Sequence, residues 1–136
     1  MYRLIFLLSC SVLIGCGQRT VPLKGTVTYA DDGSPVPFGI VHFDSASSRS
    51  KATIKEDGTF VVGTMKDTDG IFPGTYDVSI VGAEKPGTGK SDDPMVPPPA
   101  IPLIDPKYEN ATTSGLTLSV DGKTKNYDIK VERPKK

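Results

Sequence analysis

The feature that most constrains the fold is a period-two alternation of apolar and polar residues, which recurs in short segments after residue 20. Successive side chains of a β-strand point to opposite faces of the sheet, so this period is typical of strands buried on one face. Turn residues separate the segments, as at Asp57-Gly58 and Asp121-Gly122. The 14 glycines and 12 prolines disfavour long helices. The pattern therefore predicts an all-β fold.

Seven segments carry this alternation, which predicts a seven-stranded antiparallel β-sandwich over residues 21–132. The second segment is ambiguous, because Phe38 and Ile40 have the opposite parity to Val41 and Phe43. Either that strand is buried on both faces or a bulge near Gly39 shifts its register. The segments lie at residues 21–29, 36–43, 51–55, 59–62, 75–80, 116–120 and 126–132.

The first 15 residues are predicted to be a signal peptide. Arg3 supplies a basic start, and an apolar run follows at residues 4–14. That run is shorter than the roughly 20 apolar residues needed to span a bilayer. The next feature, Leu-Ile-Gly-Cys at residues 13–16, resembles the bacterial lipobox. The resemblance implies cleavage before Cys16, a diacylglyceryl group on its thiol, and a tether at residues 16–20.

Two alternatives to this interpretation are an ordinary cleaved signal peptide with an incidental cysteine and a membrane-spanning signal anchor. Lipidation would hold the protein on a membrane, because two or more acyl chains give stable anchoring. The predicted location is the cell membrane or the outer membrane, facing the periplasm or the exterior.

Cysteine and charge counts exclude several function classes. Cys10 and Cys16 are the only cysteines, so the chain after the tether has no disulfide, thiolate metal site or cysteine nucleophile. The 16 basic and 16 acidic residues give zero net charge, which predicts no nucleic-acid partner. Removal of Arg3 with the signal peptide leaves one excess acidic residue, so net charge predicts no adhesion to anionic lipid. The length of 136 residues indicates one domain.

A proline-rich excursion interrupts the strand pattern at residues 83–106. Proline cannot donate to a sheet ladder, so we expect an extended chain over the surface, with Ile101, Leu103 and Ile104 pinning its far end. Long excursions of this kind are often functional. Residues 133–136 are predicted to be a frayed polar tail.

Several short motifs resemble carboxypeptidase regulatory-like domains. They are the Leu-Lys-Gly-Thr-Val-Thr-Tyr run at residues 23–29, Asp-Gly-Ser-Pro-Val at 32–36, Ile-Val-His-Phe at 40–43, Asp-Gly-Thr-Phe at 57–60 and Pro-Gly-Thr-Tyr at 73–76. The resemblance covers about residues 21–81 and implies a transthyretin-like (prealbumin-like) sandwich. The lipobox, with residues 104–108 and 113–117, resembles small exported lipoproteins of planctomycete-type bacteria. Such a resemblance implies a fold but does not indicate a biochemical activity.

Candidate catalytic and metal-binding residues are few. His42 is the only histidine, and a general base needs a nucleophile and an orienting carboxylate, so a half-exposed strand histidine is the favoured interpretation. Asp67 and Asp69 resemble the start of a calcium loop, but the EF-hand spacing fails. An irregular calcium site with Asp31 or Asp32 stays open beside ordinary Asx turns. No cofactor is predicted.

Sugar binding would need an exposed aromatic side chain. Three of the candidates alternate with polar neighbours and are expected in the core, and Tyr108, between Lys107 and Glu109, is the best candidate for exposure, although packing on the edge of the sandwich is the favoured interpretation. The candidates are Tyr29, Phe38, Tyr76, Tyr108 and Tyr127. The leading prediction is a non-enzymatic, lipid-anchored module at the cell envelope, held by the membrane through Cys16, with an envelope protein or a glycan as partner. A carbohydrate- or peptidoglycan-binding module is the alternative, followed by a small transthyretin-like hydrolase.

Overall fold

A computed structural model describes residues 17–136, so the predicted signal peptide and Cys16 lie outside the described residues. Within that range the protein is all-β, and its only helical element is a single 3₁₀ helix at Pro106–Glu109. Each of the seven alternating segments contains a strand. The strands are β1 (Lys24–Tyr29), β2 (Ile40–Asp44), β3 (Arg49–Thr53), β4 (Thr59–Val61), β5 (Gly74–Val81), β6 (Glu84–Lys85), β7 (Ile101–Pro102), β8 (Leu116–Val120) and β9 (Ile129–Val131).

These nine strands form three sheets in the described residues. The orders are β4-β1-β9, β3-β2-β5-β8 and β6-β7. All neighbours are antiparallel except β1 and β9, which run parallel with Val27 opposite Ile129. The prediction of a purely antiparallel sheet system is therefore wrong at this pair. The chain leaves β8 in one sheet and enters β9 in another, and a strand that crosses between sheets can join its new neighbour in the parallel sense.

The turn at Asp57-Gly58 forms as predicted, but it joins two different sheets. Gly58 donates its N–H to the carbonyl of Lys55 at 2.8 Å, and Lys55 donates to Thr59 at 2.9 Å. The strand before the turn, β3, belongs to the four-stranded sheet, and the strand after it, β4, belongs to the three-stranded sheet. The tight turn thus carries the chain from one sheet to the other.

The two larger sheets share one apolar core. Phe43 of β2 and Phe60 of β4 come from different sheets, and their ring centroids lie 6.2 Å apart. Full burial of each large apolar side chain contributes roughly 1.5–3 kcal/mol, so this shared interior is the main source of stability. The largest fully buried side chains are Tyr76, Phe43, Phe60, Leu23, Ile71, Ile80, Ile129, Val27, Val36, Val41, Val62 and Val78.

The structure agrees with neither interpretation of the second alternating segment. Val41 and Phe43 are buried, whereas Phe38 is 42% exposed and Ile40 is also exposed. Gly39 adopts φ +133°, and β2 begins only after it, at Ile40. The strand is therefore buried on one face, and Phe38 lies outside it.

The proline-rich excursion is built on a short two-stranded sheet. β6 pairs with β7 so that Glu84 lies opposite Pro102 and Lys85 opposite Ile101. The N–H of Leu103 donates to the carbonyl of Ala83 at 2.8 Å. Residues 86–100, which we call the arm, extend beyond this base.

The base of the arm is attached to the core through fewer residues than predicted. Ile104 and Ala83 are buried, and Leu103 packs partly against the core. Ile101 is exposed, so its predicted role in pinning the excursion is wrong. Its side chain belongs to a two-residue strand that lies outside the two main sheets.

Candidate functional site

The point where the N-terminal chain joins the domain is fixed by backbone hydrogen bonds. Val21 donates to the carbonyl of Ile71 at 2.7 Å, and Ile71 donates back to Val21 at 2.9 Å. Ile71 is fully buried, so Val21 is held on the domain itself. Residues 17–20 precede this pair without regular secondary structure. Cys16 lies outside the described residues, so its lipidation remains a prediction.

A groove opens beside this attachment point. Its volume is about 380 Å³. Most of its lining is apolar, and Val61 of the edge strand β4 is 38% exposed there. Two lysines, Lys24 and Lys125, also line it. We call this the exit groove, and its lining residues are Val21, Pro22, Leu23, Lys24, Val61, Gly122 and Lys125.

The wall of the exit groove opposite β4 is the turn between β8 and β9. Lys24 donates its N–H to the carbonyl of Lys125 at 3.2 Å, and Tyr127 donates to the carbonyl of Lys24 at 2.9 Å. Within the turn, Asp121 accepts from the Lys123 N–H at 2.8 Å and from the Thr124 hydroxyl at 2.9 Å. These hydrogen bonds lower the pKa of Asp121, and the one from the Lys123 backbone has the largest effect. The turn is thus held against the start of β1.

A second polar cluster lies at the other end of β1. Arg133 donates from Nε to Asp31 at 2.8 Å and from a terminal nitrogen to Asp32 at 3.0 Å. Hydrogen bonds from the Ser34 hydroxyl and backbone, with Arg133 adding to them, lower the pKa of Asp32 to about 2. The prediction of a frayed tail is therefore wrong for Arg133. Sequence alternation carries no signal for this contact, because Arg133 lies beyond the last alternating residue.

Three of the four candidate calcium ligands are engaged in other contacts, and the fourth, Asp67, is exposed. Asp69 accepts the backbone N–H of Thr64 at 2.6 Å and those of Met65 and Lys66 at 3.1 Å. These bonds, led by the one from Thr64, lower the pKa of Asp69. Asp31 and Asp32 bind Arg133 instead. Residues 17–136 contain no group of three or more histidine, cysteine, aspartate or glutamate side chains that could hold a metal ion.

His42 lies half-buried on the outer face of the four-stranded sheet. Its cross-strand neighbours are Lys51 on β3 and Ser79 on β5. The carboxylate of Asp44, two residues along the same strand, pairs with Arg49 at 2.9 Å. Asp44 is thus engaged with Arg49.

The aromatic side chain proposed for sugar binding is buried. Tyr108 lies in the 3₁₀ helix, where its hydroxyl accepts the N–H of Glu132 at 3.2 Å. Tyr108 is therefore not available for sugar binding, and the favoured interpretation, packing at the edge of the domain, agrees with its burial. Its charged neighbours point outward because a 3₁₀ turn places adjacent residues on different sides. Among the five aromatic candidates, Phe38 is exposed.

The arm presents Met95, the most exposed of the large apolar side chains in residues 17–136. Met95 is 90% exposed, and Val96 is exposed beside it. The two limbs of the arm approach closely, because a Cβ on Gly87 would lie 2.2 Å from the carbonyl oxygen of Pro99. The arm is thus a folded-back projection rather than a single extended strand.

Comparison with protein-family models, curated proteins and solved structures finds no match to this chain. In the part of the chain that the structure describes, no helix has the length and apolar character required to cross a membrane.

Proposed function

We propose that this protein is an exported, lipid-anchored β-sandwich that acts without catalysis as a structural or interaction module at the cell envelope. The single observation that carries the proposal is the lipobox-like sequence at residues 13–16, followed after a short tether by an all-β domain. Lipid on Cys16 would hold the protein on the cell membrane or the outer membrane. The attachment of Val21 to the buried Ile71 supports this arrangement, since it gives the tether a fixed origin.

We also infer that the two larger sheets form a seven-stranded sandwich of the transthyretin-like type. Three strands in one sheet and four in the other, with one core between them, support this inference. The proposed relation to carboxypeptidase regulatory-like domains still depends on the motifs at residues 23–29, 57–60 and 73–76.

The arm is the proposed contact surface for an envelope partner. Its exposed Met95 and Val96 lie beside three successive prolines at residues 97–99. A proline-rich chain loses little conformational entropy on binding, because its backbone is already restricted. A glycan-binding role has less support than a protein partner, since the burial of Tyr108 removes its aromatic platform.

The anchoring proposal is tested by intact mass and N-terminal peptide mapping of protein from a membrane fraction of its own host. We expect a chain that begins at lipid-modified Cys16. The Cys16→Ala variant should keep its fold and leave the membrane pellet, whereas Cys10→Ala, a matched change within the predicted signal peptide, should remain there. A soluble wild-type chain with unmodified Cys16, or retention of Cys16→Ala in the pellet, would contradict the proposal.

A further inference from the structure

The exit groove lies at the end of the domain nearest the proposed anchor. Val21 lines the groove and is five residues from Cys16, and extended chain spans at most about 3.3–3.6 Å per residue. The groove therefore stays within about 17 Å of the lipid-bearing residue, whatever the conformation of the tether. The cluster around Arg133 is farther away by the length of β1, because it lies beyond Tyr29 at the opposite end of that strand.

The charged residues that line the groove are basic. Lys24 and Lys125 line the groove, Lys123 lies in the same turn as Lys125, and Arg19 lies in the tether, all four exposed. The acidic residue of that turn, Asp121, accepts two hydrogen bonds from its own turn. Asp67 and Asp128 lie on the neighbouring surfaces that share Val61 with the groove, but no acidic residue lines the groove itself. The groove lining is therefore basic although the whole chain has zero net charge. The net charge of the whole sequence does not show this local positive charge.

The groove also has an apolar floor. Val21, Pro22 and Val61 meet there, and Val61 keeps more than a third of its surface exposed. Lysine side chains can lay their methylene stems along such a surface while their ammonium groups stay in water. An apolar floor beside two lysines matches the part of a phospholipid where the acyl chains begin, since apolar methylene groups there lie close to the anionic phosphate.

We propose that the exit groove binds the headgroup phosphate of an anionic phospholipid in the leaflet that holds the anchor. The ammonium groups of Lys24 and Lys125 pair with the phosphate, and Val21 and Val61 contact the first methylene groups of the acyl chains. The proposal rests on the anchoring of Cys16. Its consequence is a fixed orientation, in which this end of β1 lies on the bilayer and the Arg133 end points away from it.

The test uses the purified full lipoprotein in vesicles of phosphatidylcholine alone or mixed with phosphatidylglycerol. An environment-sensitive fluorophore is attached through Gly122→Cys at the groove or through Ala30→Cys at the far end of β1. Both positions are exposed and small, and a Cβ at Gly122 meets no atom within 4 Å. With a headgroup spin-labelled lipid in mixed vesicles, we expect several-fold stronger quenching at position 122 than at position 30.

Charge variants identify the residues responsible. Lys24→Gln combined with Lys125→Gln should remove most of the excess quenching at position 122, while Lys135→Gln, at the C-terminus, should not change it. Equal quenching at both positions, insensitivity to phosphatidylglycerol, or insensitivity to the two groove lysines would overturn this proposal while leaving the anchor intact. Protein that fails to float with either type of vesicle would overturn the anchor and this proposal together.

Discussion

The guanidinium carbon of Arg133 lies 3.7 Å from the centroid of the Tyr29 ring. Tyr29 is the last residue of β1, and Arg133 follows β9, the strand that runs parallel to β1. The contact therefore links the C-terminal ends of the parallel strands β1 and β9. Arg133 also reaches Asp31 and Asp32 in the turn after β1, so one side chain joins the turn, the ring and the C-terminal chain.

Replacement of Arg133 should destabilise the domain in a salt-dependent way. We expect Arg133→Ala to lower the melting temperature, and Arg133→Lys to recover only part of the loss, because lysine lacks the planar fork that binds two carboxylates and stacks on a ring. The difference from wild type should shrink in concentrated salt, since the ion pairs are exposed. Lys135→Ala is the control, and an unchanged melting temperature for Arg133→Ala at low salt would contradict this role.

The low pKa of Asp32 should depend on Ser34 first. Its ordinary value of 3.8 falls to about 2, chiefly through hydrogen bonds from the Ser34 hydroxyl and backbone. Ser34→Ala should raise the pKa of Asp32 toward 3.8, as measured by a carboxyl NMR titration. Thr59→Ala, which removes the matching hydroxyl from Asp57, should leave the pKa of Asp32 unchanged.

This pKa also predicts part of the response to acid. The pKa of Asp32 is lower in the folded state than in the unfolded chain. The stabilisation from the ionised Asp32 is therefore complete above pH 3.8 and is lost as the pH falls through about 2. The Ser34→Ala variant should therefore lose less unfolding free energy than wild type over that range. An equal loss in both proteins would show that Ser34 does not set this pKa.

Gly25 should tolerate no side chain. A Cβ there would lie 1.8 Å from the carbonyl oxygen of Tyr127 and 2.7 Å from Cζ of Phe60. We expect Gly25→Ala to cost about 1–3 kcal/mol or more of unfolding free energy, measured by urea denaturation. Gly122→Ala adds the same atom in open space and should change stability by less than about 0.5 kcal/mol. Similar effects at the two positions would contradict the close approach at Gly25.

The arm should be dispensable for folding. In this variant, Asn-Gly replaces residues 86–100, so a two-residue turn connects Lys85 to Ile101. These two residues already lie opposite each other in the β6–β7 pair. We expect the unfolding free energy to stay equal or to rise by up to about 2 kcal/mol, because each halving of a loop saves roughly 0.6 kcal/mol of closure entropy. In contrast, Ile104→Ala at the buried base should cost about 2–5 kcal/mol. A deletion that unfolds the domain would assign the arm a structural role.

The alternation of residue types predicts where strands lie because it reports which face of a strand is buried. Val41 and Phe43 illustrate this, since both are buried and both follow the pattern. The pattern does not report which strand lies beside which, so the parallel partnership of Val27 with Ile129 has no local signal. It also fails for strands as short as β6 and β7, whose two residues cannot show a period.

The features of the candidate site that sequence reasoning missed all depend on tertiary contacts. Lys24 and Lys125 are distant in the sequence and meet only because β1 and the turn after β8 exchange backbone hydrogen bonds. Tyr108 looks exposed between two charged neighbours, but a 3₁₀ helix turns its ring inward onto the core. The lipobox, in contrast, is a local pattern in residues 13–16, outside the described residues, and it stays a prediction.

The partnership of β1 with β9 has a consequence for the order of folding. The first strand cannot find its second neighbour until the last strand has been synthesised, so the three-stranded sheet closes late and over nearly the whole chain. Contacts of such long sequence separation slow folding, because the closure entropy is lost before the contacts form. A chain cut before Ile129 would leave β1 with an open edge, which makes incomplete copies easy for proteases to recognise.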